Sequence, residues 1–202
     1  MVTDAGGGEV KQPRRGRRPA EEVREEVLQA AGELLFAEGM AGFTIDKVAA
    51  LSGASKMTIY KWWPSKGALA LDGYFRKVEP GLSFPDSGDI ERDLRTQMRA
   101  FLGVIRDTAG GGIIGELIGQ AQIDPELKAA FVQRYSGPRR ALAVASMRRA
   151  QERGQLRSTV DPEVVVDQLW GACYHRLLVP GQPLTEEFVD ALLDNLFEGI
   201  KA

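Results

Sequence analysis

Between residues 44 and 69 the chain reads TIDKVAALSGASKMTIYKWWPSKGAL, the stretch richest in side chains that can do chemistry. Its hydroxyls and ammonium groups donate hydrogen bonds and positive charge, which suits holding a polyanion rather than breaking a covalent bond. The spacing is that of a short helix from Thr44, a tight turn at Gly53-Ala54, a second short helix from Ser55, and a Pro64-Ser65 break. Thr44, Ser55 and Ser65 each stand where a side-chain oxygen can cap a helix start. In such a helix-turn-helix the first helix braces the second, whose N-terminal residues enter a major groove while cap groups and backbone amides meet phosphate. Ile45, Val48, Ala49, Ala54 and Ile59 have the small or branched shapes that let two helices cross closely, and are expected in the core.

Elsewhere the reactive residues are sparse. His175 is the only histidine and Cys173 the only cysteine, so no disulfide, thiolate metal cluster or cofactor site is expected, and a reducing cytoplasm fits. No Ser, Cys and carboxylate arrangement around His175 reads as a catalytic triad. Gly110 to Gly115 satisfies GxGxxG, but it follows a helical pattern rather than a strand and reads as a flexible interhelical loop.

The elements that must position these groups are helical throughout. Of 202 residues 44% are hydrophobic, enough for a packed core, and the formal net charge is only -2. Charge is unevenly placed: Lys11, Arg14, Arg15, Arg17 and Arg18 form a basic arm within residues 1–19, which carry almost no aliphatic side chains and read as disordered. No apolar run approaches a membrane span, so neither export nor a membrane partner is expected. Apolar residues at helical spacing predict a first helix from Glu21 to about Gly39, short helices after Thr44 and Ser55, and a fourth over 65–79 ended by Pro80-Gly81. A fifth carries Ile90 to Ile105, a sixth Ile113 to Gln122, and a long seventh starts at Asp124-Pro125 with a kink at Pro138. An eighth runs from Asp161-Pro162 to Leu178 and a ninth from Thr185 to Ile200. Both of these are broadly apolar, which suggests contact with a second subunit in a homodimer; a central helix pair in a monomer would produce the same pattern.

Phe43-Thr44, Ile45, Val48-Ala49, Ser52-Gly53, Ser55-Lys56, Thr58-Ile59-Tyr60, Trp63 and Pro64-Ser65-Lys66 resemble the DNA-binding domain of TetR-family repressors. The resemblance implies an all-α protein: a three-helix DNA-binding bundle over 20–66, helix four as connector, and a ligand-binding and dimerisation domain over 80–202. Carried across by position, Thr44 caps and binds phosphate, Ser55 and Lys56 begin the recognition helix, and Met57 and Thr58 face base edges. Tyr60 resembles the family's phosphate-binding tyrosine, Lys61 reinforces it, and Lys66 supports a phosphate contact at the start of helix four. Met57 stands where the family often has Gly and Trp62 where it often has His. Met57 can touch a thymine methyl and the Trp62 indole can donate to phosphate, or both can simply cover the protein. Trp63 takes the aromatic core position.

By the same analogy a small-molecule effector lies among helices five to eight, with Phe101, Ile105, Leu117, Gln120, Phe131, Trp170, Tyr174 and His175 as candidate walls and anchors. The expected function is a sequence-specific transcriptional regulator, a repressor released from double-stranded operator DNA by that effector. The alternatives are a ligand-independent activator or nucleoid-associated factor, and a small all-helical enzyme using His175 or Tyr174.

Overall fold

The computed structural model describes residues 18–179 and 181–200, so the basic arm lies outside the described residues except for its last members, Arg18 and Pro19. Helix α1 spans Ala20–Gly42 and buries Val27, Ala31, Leu34 and Leu35. Its regular course breaks where expected, at Gly39 (φ 65°), after which one more turn closes through the Phe43 N–H to the Gly39 carbonyl at 3.1 Å. Helix α2 (Ile45–Ser52) starts at Thr44, whose hydroxyl accepts from the Lys47 N–H at 3.2 Å, and stops at Gly53 in the left-handed region (φ 65°). Helix α3 (Lys56–Trp62) is capped by Ser55 from the Thr58 N–H at 3.1 Å, and α4 (Lys66–Val78) by Ser65 from the Ala68 N–H at 3.1 Å. Each such cap contributes about 1 kcal/mol, so three of them fix the ends of helices too short to persist alone.

Helices α1 and α4 cross at a pair of glycines. A Cβ on Gly32 would lie 2.8 Å from the Gly73 carbonyl oxygen, and one on Gly73 3.0 Å from the Ala31 Cβ and the Gly32 nitrogen. This close approach lets α4 carry the motif out of the N-terminal bundle against the rest of the chain. After a 3₁₀ turn at Glu79–Gly81, α5 (Ile90–Asp107) follows, capped by Asp89. Helix α6 (Gly110–Ala121) corrects one expectation: the glycines of the GxGxxG match are helical, not a loop. Their function is proximity, since a Cβ on Gly111 would fall 2.3 Å from the Ile105 carbonyl oxygen.

The long seventh helix expected from Asp124 is three segments. Helix α7 (Pro125–Phe131) leads through a π-helical turn, Val132–Ser136, into α8 (Gly137–Glu152). Pro138 has no N–H and its ring crowds the carbonyl four residues back, so the ladder widens by one residue just before it. The Gly137 N–H reaches back to the Val132 carbonyl, which a Cβ at Gly137 would approach to 2.7 Å. The expected eighth and ninth helices are α9 (Pro162–Leu178) and α10 (Glu186–Ile200). Val189, Leu193 and Phe197 of α10 are buried, and α10 packs on α5. Arg95 and Arg99 of α5 clasp Asp190 at 3.0 Å each, and Arg95 reaches Asp194 at 2.8 Å. Among the described residues there is no β-strand, and no helix is long and apolar enough to cross a membrane.

Candidate functional site

Helix α3 turns Ile59 into the core and sends Lys56, Met57, Tyr60 and Lys61 outward. Met57 is 85% exposed and Tyr60 51% exposed, an unusual disposition for large residues on a well-packed bundle. Lys56 and Lys61 are exposed beside them, and Thr58 is half-buried. The Ser55 and Thr58 hydroxyls lie 2.8 Å apart, so the two hydroxyls and the first backbone amides of α3 form one cluster of donors. Lys56 pairs with Asp46 of α2, which holds its ammonium firmly protonated. Lys66 donates to the Met40 carbonyl at 2.9 Å and retains two further hydrogens on an exposed ammonium group. Thr44 is exposed at the start of α2. Trp62 is half-buried, edge-on to Trp63 with ring centroids 5.7 Å apart, and borders a groove between α3 and the start of α1. Arg18 spans that junction, pairing with Glu26 and donating to the Gly53 carbonyl at 3.4 Å.

A second site lies between α5, α8 and α9. It is a cavity of about 390 Å³ walled by Phe84, Phe101, Tyr135 and Trp170, with Tyr174 and Arg139 among its polar groups. Of the residues proposed from sequence, Phe101, Trp170 and Tyr174 line it. The other five do not. Leu117 is fully buried core; Gln120 is exposed, its carbonyl closing the turn to Ile123 and Asp124; and Ile105 is half-buried elsewhere on α5. Phe131 packs its ring against the far side of Tyr135 at 5.6 Å. His175 faces solvent. Helical spacing identifies the buried face of each helix, but not which part of that face borders a void.

The residues missed are the informative ones. Arg139 lies on the stripe that Ala143, Met147 and Ala150 continue into the core, so a charge interrupts an apolar helix face. Its Nη2 donates to the Leu82 carbonyl at 2.6 Å and to the Gln97 amide oxygen at 2.9 Å, while Gln97 donates in turn to the Ser83 carbonyl. Its guanidinium lies 5.6 Å from the Phe84 ring centroid and 6.0 Å from that of Tyr135. Burial pushes the Tyr135 phenol above the usual tyrosine range and the Tyr174 phenol well above it, so both stay protonated, and the two hydroxyls meet. At the mouth, Arg140 forks onto Asp167 with two 2.9 Å bonds and reaches Glu163 at 3.0 Å.

Cavity and motif are joined through α4. Tyr135, in the π-helical turn, stacks on Phe75 with centroids 3.8 Å apart and planes 9° from parallel. Its neighbour Arg134 donates to Asp72 at 2.8 Å, and the same Asp72 oxygen accepts the Trp63 indole N–H at 2.7 Å. Trp63 directly follows α3. One carboxylate on α4 therefore ties the cavity wall to the end of the exposed helix.

A capped, outward-facing second helix on a short bracing helix, carried by a larger helical domain with its own cavity, defines a DNA-binding regulator rather than an enzyme. Known proteins agree. Residues 27–72 match the family described as bacterial regulatory proteins, tetR family, and residues 84–196 match the tetracyclin repressor-like C-terminal domain. The chain is 34% identical over 194 residues to the HTH-type transcriptional regulator YdeS of Bacillus subtilis, covering 95% of this chain and 96% of that one. It is 31% identical to the DNA-binding transcriptional repressor TetR of Mycobacteroides abscessus, over 84% and 89% of the two chains. Among solved structures, the TetR family transcription regulator SCO0332 superposes with a TM-score of 0.84 at 57% identity, covering 90% of this chain and all of that one. The chain belongs to the TetR family of helix-turn-helix transcriptional regulators.

Proposed function

We propose that this regulator is a homodimeric repressor whose grip on a two-fold operator is released when a small molecule fills the cavity between α5, α8 and α9. The observation that carries the DNA half is the outward face of α3, where Met57 and Tyr60 stand exposed above the capped N-terminus. In this reading Met57 and Thr58 meet base edges, while Tyr60, Thr44, Lys61, Lys66 and the Ser55 cluster hold phosphates. Lys56, tied to Asp46, braces α3 against α2, and Trp62, half-buried on its partner ring, covers the bundle more than it donates. A cytoplasmic location follows from a chromosomal operator as partner.

Dimerisation is assigned to α9 and α10. Val164 and Leu178 are exposed on α9 with Gly171 and Ala172 between them, and Phe188, Leu192 and Leu196 are half-buried on α10, whose opposite side is already packed on α5. Two such faces brought together bury apolar area at roughly 25 cal/mol per Å². The effector acts only through its differential affinity for two arrangements of α4. The Tyr135–Phe75 stack and the Arg134–Asp72–Trp63 chain support α4 as the element that moves.

The test is anisotropy of labelled DNA from upstream of the regulator's own gene, over a range of salt, with wild type, Tyr60→Phe and Lys66→Ala. Sequence-specific binding should weaken roughly tenfold when the Tyr60 hydroxyl is removed. Lys66→Ala should reduce the salt slope by about one, the share of a single neutralised phosphate. Unchanged binding in both variants would remove α3 and the α4 start as the DNA surface, and absence of specific binding in a genome-wide selection would end the repressor reading.

A further inference from the structure

The charge inside the cavity identifies the class of effector, an inference that rests on the cavity being the effector site. Arg140 and Asp167 both line the mouth, and their two-bond fork cancels them against each other. Arg139 is different. Among the described residues no carboxylate lies within ion-pair reach of it; both of its hydrogen bonds leave from Nη2, so Nη1 and Nε keep their hydrogens. The bonds to the Leu82 carbonyl and Gln97 nonetheless fix the guanidinium in place, so a ligand need not order it. An uncompensated cation held between aromatic faces is an unfavourable arrangement that an incoming anion relieves.

We infer that the effector is a monocarboxylic acid with an aromatic or fused-ring body, its carboxylate accepting from Arg139 and its rings packed between Phe101, Trp170 and Tyr174. The cavity volume falls within the range of small-molecule sites, and its walls are predominantly aromatic. One unbalanced positive charge matches one negative charge; a phosphate dianion would bring a second for which the cavity has no partner. The hydrogen-bonded hydroxyl pair of Tyr135 and Tyr174 leaves one O–H to donate beside the same anion without adding charge.

Calorimetric titration of the full chain without DNA tests this with three probes that share a ring system: 1-naphthoate, 1-naphthamide and 1-naphthyl phosphate. The carboxylate should bind at least about tenfold more tightly than the amide, the difference expected when an ion pair with the guanidinium is reduced to a hydrogen bond from a cation to a neutral oxygen. Arg139→Gln should bring acid and amide to equal affinity, and Arg139→Lys should keep part of the preference. The acid-to-amide comparison on the wild-type chain stands even if a variant fails to fold. Equal binding of acid and amide, tighter binding of the phosphate, an acid preference that survives Arg139→Gln, or no binding by any probe would each overturn the assignment. Because these titrations contain no DNA, their failure is told apart from failure of the operator experiment.

Discussion

Replacing Asp72 by Asn exchanges one heavy atom and loosens the tie between two elements. The Asp72 side chain is 12% exposed and one of its oxygens accepts both the Trp63 indole N–H and an Arg134 N–H. An amide oxygen in the same place still accepts both hydrogen bonds but without the negative charge that strengthens them. Weakening the buried, charge-assisted indole bond costs about 1.5 kcal/mol. The ion pair with Arg134, whose side chain is 45% exposed, adds only about 0.5 kcal/mol because solvent screens it. A total near 2 kcal/mol lowers the melting temperature of a chain this size by about 4–8 °C. Thermal and urea unfolding followed by tryptophan emission reads this directly. A double-mutant cycle with Arg134→Gln isolates the ion pair, and its coupling should be close to 0.5 kcal/mol. The same variant should narrow the difference in operator affinity between effector-free and effector-bound protein, since Asp72 links the π-helical turn to the end of α3. A melting temperature indistinguishable from wild type, together with strict additivity in the cycle and an undiminished effector response, would refute the reasoning.

Three further outcomes follow from the packing. Gly32→Ala should destabilise by roughly 1–2 kcal/mol by denaturant titration, because overpacking against the Gly73 carbonyl outweighs the helix-propensity gain; Gly119→Ala, with nothing within 4 Å of the new methyl, should be neutral or slightly stabilising. Burial pushes the Cys173 thiol up to about 12, against a small opposing effect of Arg176, so at pH 8 about one molecule in ten thousand carries a thiolate. A disulfide reagent should therefore label the native chain slowly and the denatured chain at once, and equal rates would place the thiol outside the core. Val164→Glu combined with Leu192→Glu should yield monomers in sedimentation that no longer bind the operator while keeping their helical content, whereas a persistent dimer would move the interface off α9 and α10.

The parts of this architecture that a short window of sequence controls are legible in the sequence. Thr44, Ser55 and Ser65 cap the helices they are expected to cap, Gly39 takes a positive φ that interrupts α1 one turn before its end, and Gly53 takes the left-handed conformation that stops α2. Pro138 signals a disturbance in a long helix, although a missing N–H does not say whether the chain will kink or widen into a π turn. Gly110 and Gly111 mislead because glycine weakens a helix locally, while here its missing side chain lets the start of α6 fold back tightly onto the last turn of α5, a packing contact that helical periodicity does not record. The cavity is the least legible. Phe101, Trp170 and Tyr174 are reachable from their inward spacing, but Leu117 shares that spacing and fills core instead. Arg139 carries a usable signal, since a guanidinium on the same stripe as Ala143 and Met147 interrupts the apolar pattern at the site where the void lies.

Helix α5 turns Phe101 toward the cavity and offers Arg95 and Arg99 to the acidic edge of α10. It works as a shared beam, with the proposed effector cavity on one flank and α10, the helix proposed to pair subunits, bolted to the other. In a dimer joined through α10, a displacement of that beam in one subunit is delivered to the seam both subunits share. The two chambers then fill as communicating vessels, and derepression should rise more steeply with effector concentration than a single-site curve.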